Sequence, residues 1–266
     1  AKDRENGGWF SSVTPDGGHV ENKLCYVHAF VILAASDAVL AEYPEGKELL
    51  RDALDTYDRY FWNEEAGMAC DTWNTEFTVL DPYRGLNANM HTVEAFLAAA
   101  DVTGDERYRV RCGRIIRHVI GWAADNEWRI PEHYTSDWKP DLECNRDHPD
   151  DQFKPYGATP GHGLEWARLI IQWALSTYKK DDKKYTEIVN VLDQYSYHFT
   201  TKTLTNSSQM SDSSKPQMIM LFGNKMLVIS DSGEILLDNH VYRMGYSGGK
   251  DAKKMMKSIN KILKSE

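Results

Sequence analysis

Several absences narrow this 266-residue sequence before any motif does. Cysteine is scarce: Cys25, Cys70, Cys112 and Cys144 stand far apart. They form neither a CxxC metal-binding pair nor the dense framework of a small secreted protein. A reduced, cytoplasmic setting is the simplest expectation. No apolar run reaches the ~20 residues that cross a bilayer. The opening AKDRENGG lacks the apolar stretch of a secretion signal. Basic residues are in deficit, 31 against 40 acidic, and the net charge of −9 argues against nucleic acid as a partner. Tryptophan is missing after residue 200, where seven of the nine methionines lie.

Aromatic residues are plentiful. Eight tryptophans and fourteen tyrosines suit a core or a sugar-binding cleft. Helical spacing of apolar residues predicts helices at 24–42, 47–62, 88–102, 105–124, 162–178 and 183–198. Short connections (YPEG, TGD, KKDD) close helical hairpins, and long ones at 63–87 and 125–161 join hairpin to hairpin. The architecture repeats every ~65–70 residues, as in a helical solenoid or toroid. KKDDKK reads as a solvated turn.

The character changes near residue 200. TTKTLTNSSQMSDSSKPQ is polar and linker-like, the following segment reads as short strands with a DSG turn, and a basic helix ends the chain. From Lys202 onward there are ten basic and six acidic residues, a balance of +4 against −13 for the rest. The expected division is 1–199, a helical domain, and 200–266, a tail of short strands plus a basic helix.

The long loops feed helices that open with polar groups: Tyr26 and His28, then Asn87 and His91, then His162 and Glu165. Converging at one end of a toroid, these would make one polar pocket. His162 and Glu165 lie three apart and share a helix face. Helix capping, with the carboxylate favoured by the helix dipole, is the alternative for that pair. His28, in a very apolar helix, reads as a satisfied core histidine. His118 reads as a surface or packing residue, and Glu94 as structural, pairing locally or bonding backbone. His133 is either a pocket residue or a loop-pinning one.

The stretches GGWF with DGG, KLCYVHAFVILAAS, YRGLNANMHTVEAFLAAADVTGD, WRIPEHYTSDWKPDLECNRDHPDD and PYGATPGHGLEWARL carry a resemblance. From Gly7 to about Leu175 the chain resembles the N-acylglucosamine 2-epimerase family, most of all its mannose isomerase and sulfoquinovose isomerase branch. NANMHTVEA and TPGHGLEW are the specific motifs. The resemblance implies a mainly α fold, a partial (α/α)6-type barrel of helical hairpins. It also implies metal-free, cofactor-free interconversion of aldoses and ketoses, or of C2 epimers. The expected partner is a monosaccharide, with no membrane and at most further copies of the chain in a homo-oligomer.

The resemblance assigns residues as well. His91 is an acid–base group at the sugar. His162 assists ring opening, with Glu165 orienting it or stabilising its charged form. Arg84 and Asn87 bind hydroxyls or the enediolate oxygen, and Tyr26, Trp73 and Trp138 line the pocket. Against the family, the chain reads as truncated at both ends. It lacks helices bearing an arginine that contacts the sugar and hairpins bearing a further catalytic histidine, which implies that this chain alone is a poor catalyst or none. Two other readings stay open. One is an (α/α)6 glycoside hydrolase using two of Glu132, Asp137 and Glu165. The other is a non-catalytic sugar-binding or scaffold barrel. A metal held by His91, His162 and Glu165 is chemically feasible but disfavoured, because no ligand cluster has metal spacing.

Overall fold

The computed structural model describes residues 1–16, 22–149, 151, 154–178, 182–184, 186–187, 218–222, 225–229, 235–237 and 261. They fall in two compact units, 1–158 and 159–266. The expected boundary near 200 lies outside the described residues. So do most of the helix expected at 183–198, the DSG turn and all but one residue of the terminal basic helix.

The first unit is built from two helical hairpins. Helix α1 (Cys25–Leu40) and helix α2 (Gly46–Tyr60) form the first. Their turn is so tight that a side chain on Gly46 would meet Ala38 backbone at 2.9 Å. Helix α3 (Leu86–Thr103) and helix α4 (Arg107–Asp125) form the second. Gly104, at φ +71°, ends α3 in the left-handed conformation that glycine adopts without a side-chain penalty. α1 packs against both α2 and α3, and α3 packs on α4. The sequence patterns match these roles. α2 buries Leu50, Ala53, Leu54 and Tyr57 at i, i+3, i+4 and i+7, one stripe of an amphipathic helix. α3 is buried on nearly every side, and its run of small residues, Ala98–Ala99–Ala100, allows close approach.

Short strands order the long loops. Strand β1 (Asn22–Leu24) pairs antiparallel with strand β4 (Thr72–Asn74). Strand β2 (Trp62–Asn63) pairs with strand β3 (Met68–Ala69), and strand β5 (Arg84–Gly85) with strand β6 (His133–Tyr134). These pairs tie together the end at which α1 and α3 begin. Asp71 is the main staple there. Its carbonyl accepts the Cys25 N–H at the start of α1 (2.8 Å). Its carboxylate accepts the Gly85 N–H just before α3 (2.7 Å). A Cβ on Gly85 would stand 2.7 Å from that carboxylate, so a larger residue there would have to displace it. Asn89 is buried and clamps β3: it accepts the Ala69 N–H (2.8 Å) and donates to the Ala69 carbonyl (3.0 Å).

The core includes ionic and hydroxyl ties. Lys23 is fully buried and donates to Asp3 (2.7 Å) and the Gly7 carbonyl (2.9 Å), against the face of Phe10. Burial alone would raise the Asp3 carboxyl. Lys23 and the N–H groups of Asn6 and Glu5 outweigh it and hold Asp3 below the usual carboxylate range. Tyr57 joins Cys25 and Thr92 through hydrogen bonds, linking α2 to α1 and α3.

In the second unit, helix α5 (Pro160–Thr177) begins two residues earlier than the apolar spacing indicates. Proline at the first helical position is pre-set for that conformation and loses no needed donor. Strands β7 (Met218–Phe222), β8 (Lys225–Ile229) and β9 (Ile235–Leu237) form an antiparallel sheet in the order β7-β8-β9. Among the described residues, no helix is long and apolar enough to cross a membrane.

Candidate functional site

The first unit centres its polar chemistry on the opening turns of α3. Asn87 and His91 are one turn apart and leave the helix on one face, both half-buried. The His91 ring packs against two adjoining rings of α1, whose centres are 4.9 Å apart. Tyr26 meets it edge-on at 5.0 Å, and Phe30 lies 4.8 Å away. On the same helix, His91 Nδ1 is 3.1 Å from Glu94 Oε2. An ionised carboxylate can only accept, so Nδ1 carries the proton and donates. In the neutral imidazole this leaves the lone pair on Nε2. Tyr26 and Phe30 also line an open apolar groove of about 480 Å³ along α1, with Trp9 and Leu49 at its sides.

The remaining candidates are placed differently. Arg84 is buried on β5, and its guanidinium donates to the carbonyls of Asp81 (2.5 Å) and Tyr83 (2.7 Å). Trp73 donates from Nε1 to the Tyr60 carbonyl (2.8 Å) and sits beside Tyr60 and Phe77. Trp138 stacks on Trp122 of α4, ring centres 6.2 Å apart, and meets Tyr134. Thus the structure brings Tyr26, Asn87 and His91 together, whereas Trp73 and Trp138 pack into separate aromatic clusters. In the second unit, His162 and Glu165 stand half-buried on the first turns of α5, three residues apart on one face.

Three further described histidines, His28, His133 and His118, are engaged with backbone groups and aromatic rings. His28 is buried, donating from Nδ1 to the Leu24 carbonyl (2.7 Å) and accepting the Trp9 N–H at Nε2 (3.0 Å). Burial, and secondarily the Lys23 charge, push its pKa down to about 4 against the bond to Leu24. It is therefore neutral, and both its ring nitrogens are engaged. His133 is buried and pins its loop. Its Nε2 donates to the Pro155 carbonyl (2.7 Å), so Nδ1 accepts from the Tyr83 hydroxyl (2.7 Å). His118 bonds the Ala66 carbonyl (3.0 Å) and stacks on Trp122. Among the carboxylates considered for glycoside hydrolysis, Asp137 is exposed and paired with Lys139 (2.6 Å). Among the described residues, no three His, Cys, Asp or Glu side chains are grouped to hold a metal ion.

Sequence reasoning missed Asp71 and Asn89; it expected Glu94 to pair locally or bond backbone, and the structure pairs it with His91. For Glu94 a signal existed. HTVE at 91–94 has the same His-x-x-Glu spacing as HGLE at 162–165. For Asp71 there was none, because its partners are distant in sequence.

Comparison with known proteins bears on this site. The family model described as N-acylglucosamine 2-epimerase (GlcNAc 2-epimerase) matches residues 1–202. A D-mannose isomerase of Pseudomonas cannabina pv. alisalensis is 45% identical over 170 residues, covering 64% of this chain and 41% of that protein. One of Thermobifida fusca is 44% identical over 172 residues, covering 64% and 42%. The match thus spans about two-fifths of the length of these curated relatives. Among solved structures, a D-mannose isomerase crystal structure aligns with 94% of this chain and 63% of its own, at a TM-score of 0.59 and 25% identity. The cellobiose 2-epimerase of Spirochaeta thermophila aligns with 99% and 77%, at a TM-score of 0.58 and 14% identity, and so shares the fold.

Proposed function

The chain belongs to the N-acylglucosamine 2-epimerase family, and from that premise we propose that it is a sugar isomerase of the mannose–fructose type. Its helical hairpins would form part of an (α/α)6 barrel. The substrate is a free monosaccharide in its open-chain form. The reaction moves a proton between C1 and C2 through an enediolate. A base must take the proton beside the carbonyl, and a donor must hold the oxygen where charge develops.

One observation carries the reading: the imidazole of His91, with Nδ1 tied to Glu94 and its ring packed against Tyr26 and Phe30. Such an imidazole presents a fixed lone pair at Nε2 for proton transfer. In this reading His91 is an acid–base group, and the Asn87 amide on the same helix face binds the enediolate oxygen or a hydroxyl. The exposed ring of Tyr26 offers an apolar face to sugar C–H groups. His162, oriented by Glu165, assists ring opening. Arg84, Trp73 and Trp138 support the loops around the site. A cytoplasmic setting goes with this reading, and the four free cysteines suit it.

The test is to incubate the purified chain with D-mannose or D-fructose in deuterium oxide and follow the sugars by NMR. Interconversion with deuterium entering at C1 or C2 is expected. No product and no exchange with any free aldose or ketose would refute the proposal. Release of sugar from a glycoside instead would favour the hydrolase reading.

A further inference from the structure

His91 and Glu94 pack together in a way that exceeds a helix-surface ion pair. Pairs three apart on a helix commonly attract, and an exposed pair does little more. Here both partners are mostly covered, with the His91 side chain 17% exposed and that of Glu94 25%. The imidazole is also wedged against two aromatic rings of the neighbouring helix, Tyr26 and Phe30. Ring contacts restrict where the imidazole lies, but they do not choose its tautomer. That choice falls to the group on Nδ1. The carboxylate of Glu94, 3.1 Å away, accepts the Nδ1 proton and leaves Nε2 as the basic nitrogen. The His-x-x-Glu spacing recurs at His162 and Glu165 on α5.

We propose that Glu94 is a positioning residue: it fixes His91 as the Nδ1–H tautomer and so keeps Nε2 available for proton transfer. As a statement about proton transfer to sugar it rests on the isomerase reading. As a statement about the tautomer it does not.

The experiment uses the full chain, labelled with nitrogen-15, with the His91 imidazole signals assigned by comparison with His91→Gln. In the unsubstituted protein at neutral pH, His91 should carry its proton on Nδ1. Glu94→Ala should lose that preference, and its kcat should fall about 10²-fold, the scale of a misdirected acid–base group, with KM little changed. Glu94→Gln keeps an acceptor for Nδ1–H without the charge. It should retain the tautomer and fall between the other two in kcat. A merely structural Glu94 would lower thermal stability without changing the tautomer. An unchanged tautomer in Glu94→Ala overturns the proposal, as does a loss confined to KM. If the chain turns over no sugar while Glu94→Ala still switches the tautomer, the positioning stands and the isomerase reading fails.

Discussion

Acid should destabilise the first unit over a window set by His28. Its pKa falls from the ordinary 6.5 to about 4 on folding, because burial penalises the charged ring. The depressed value means that the folded state prefers the neutral form. Between pH 6.5 and 4 the unfolded chain therefore binds a proton that the folded chain does not. Stability rises with pH across that window and is lost as pH falls through it. At pH 5 the two values separate the states by a factor of about 30, so the step from pH 7 to pH 5 costs about 2 kcal/mol. That corresponds to a fall in Tm of about 4–8 °C for a domain of this size. Asp3 acts in a lower window. Its carboxyl is held below the usual range by Lys23, so its contribution is intact above pH 3.8 and disappears only as pH drops towards its folded value. The assay is urea unfolding at pH 7 and pH 5, monitored by circular dichroism. His28→Gln supplies the control, because an amide does not titrate. It should be less stable at pH 7 by about 1–3 kcal/mol, having disturbed the buried Trp9 N–H that His28 satisfies. Its loss between pH 7 and pH 5 should shrink to a small fraction of the parent's. A parent protein equally stable at both pH values would refute the reasoning, as would a variant with the same pH slope.

The remaining expectations concern packing, thiols and the site. Gly8→Ala should lower stability by about 2–4 kcal/mol, since Gly8 has φ +66° and a Cβ would lie 2.7 Å from His28 Nε2 and 2.9 Å from Phe77; differential scanning calorimetry measures this. Asn89→Ala should cost about 2–4 kcal/mol in the same experiment, because it strands both the N–H and the carbonyl of Ala69. Cys25 and Cys112 are fully buried, and burial pushes both thiols far up. Native iodoacetamide labelling should therefore reach Cys144 first, as read by mass spectrometry, and labelling of Cys25 at the same rate would contradict the packing. His91→Ala and His162→Ala should each reduce sugar isomerisation by at least about 10²-fold while far-ultraviolet circular dichroism stays unchanged; turnover retained in both would remove them from the mechanism.

Local pattern was enough for much of this protein. Apolar residues at helical spacing marked the five described helices to within two residues at their starts, and short against long connections marked the hairpins. Net charge and the lack of long apolar runs narrowed the classes of partner. The two motifs NANMHTVEA and TPGHGLEW pointed to the family and to His91 and His162. Each of these signals lies within a few turns of chain, where geometry follows from residue order alone. Tertiary packing decided the rest, because the partners come from distant segments. Asp71 became a staple because the loop from α2 returns to the start of both α1 and α3. His28 became a neutral core residue because the N-terminal segment brings the Trp9 N–H to it. The Tyr83–His133–Pro155 chain exists because β5 pairs with β6. Trp73 and Trp138 joined loop clusters instead of the Tyr26–His91 contact because their closest aromatic neighbours come from other loops and helices. Glu94 lies between the two cases: its spacing from His91 was written in the sequence, but the aromatic rings of α1 that make the pairing matter came only with the packing of α1 on α3.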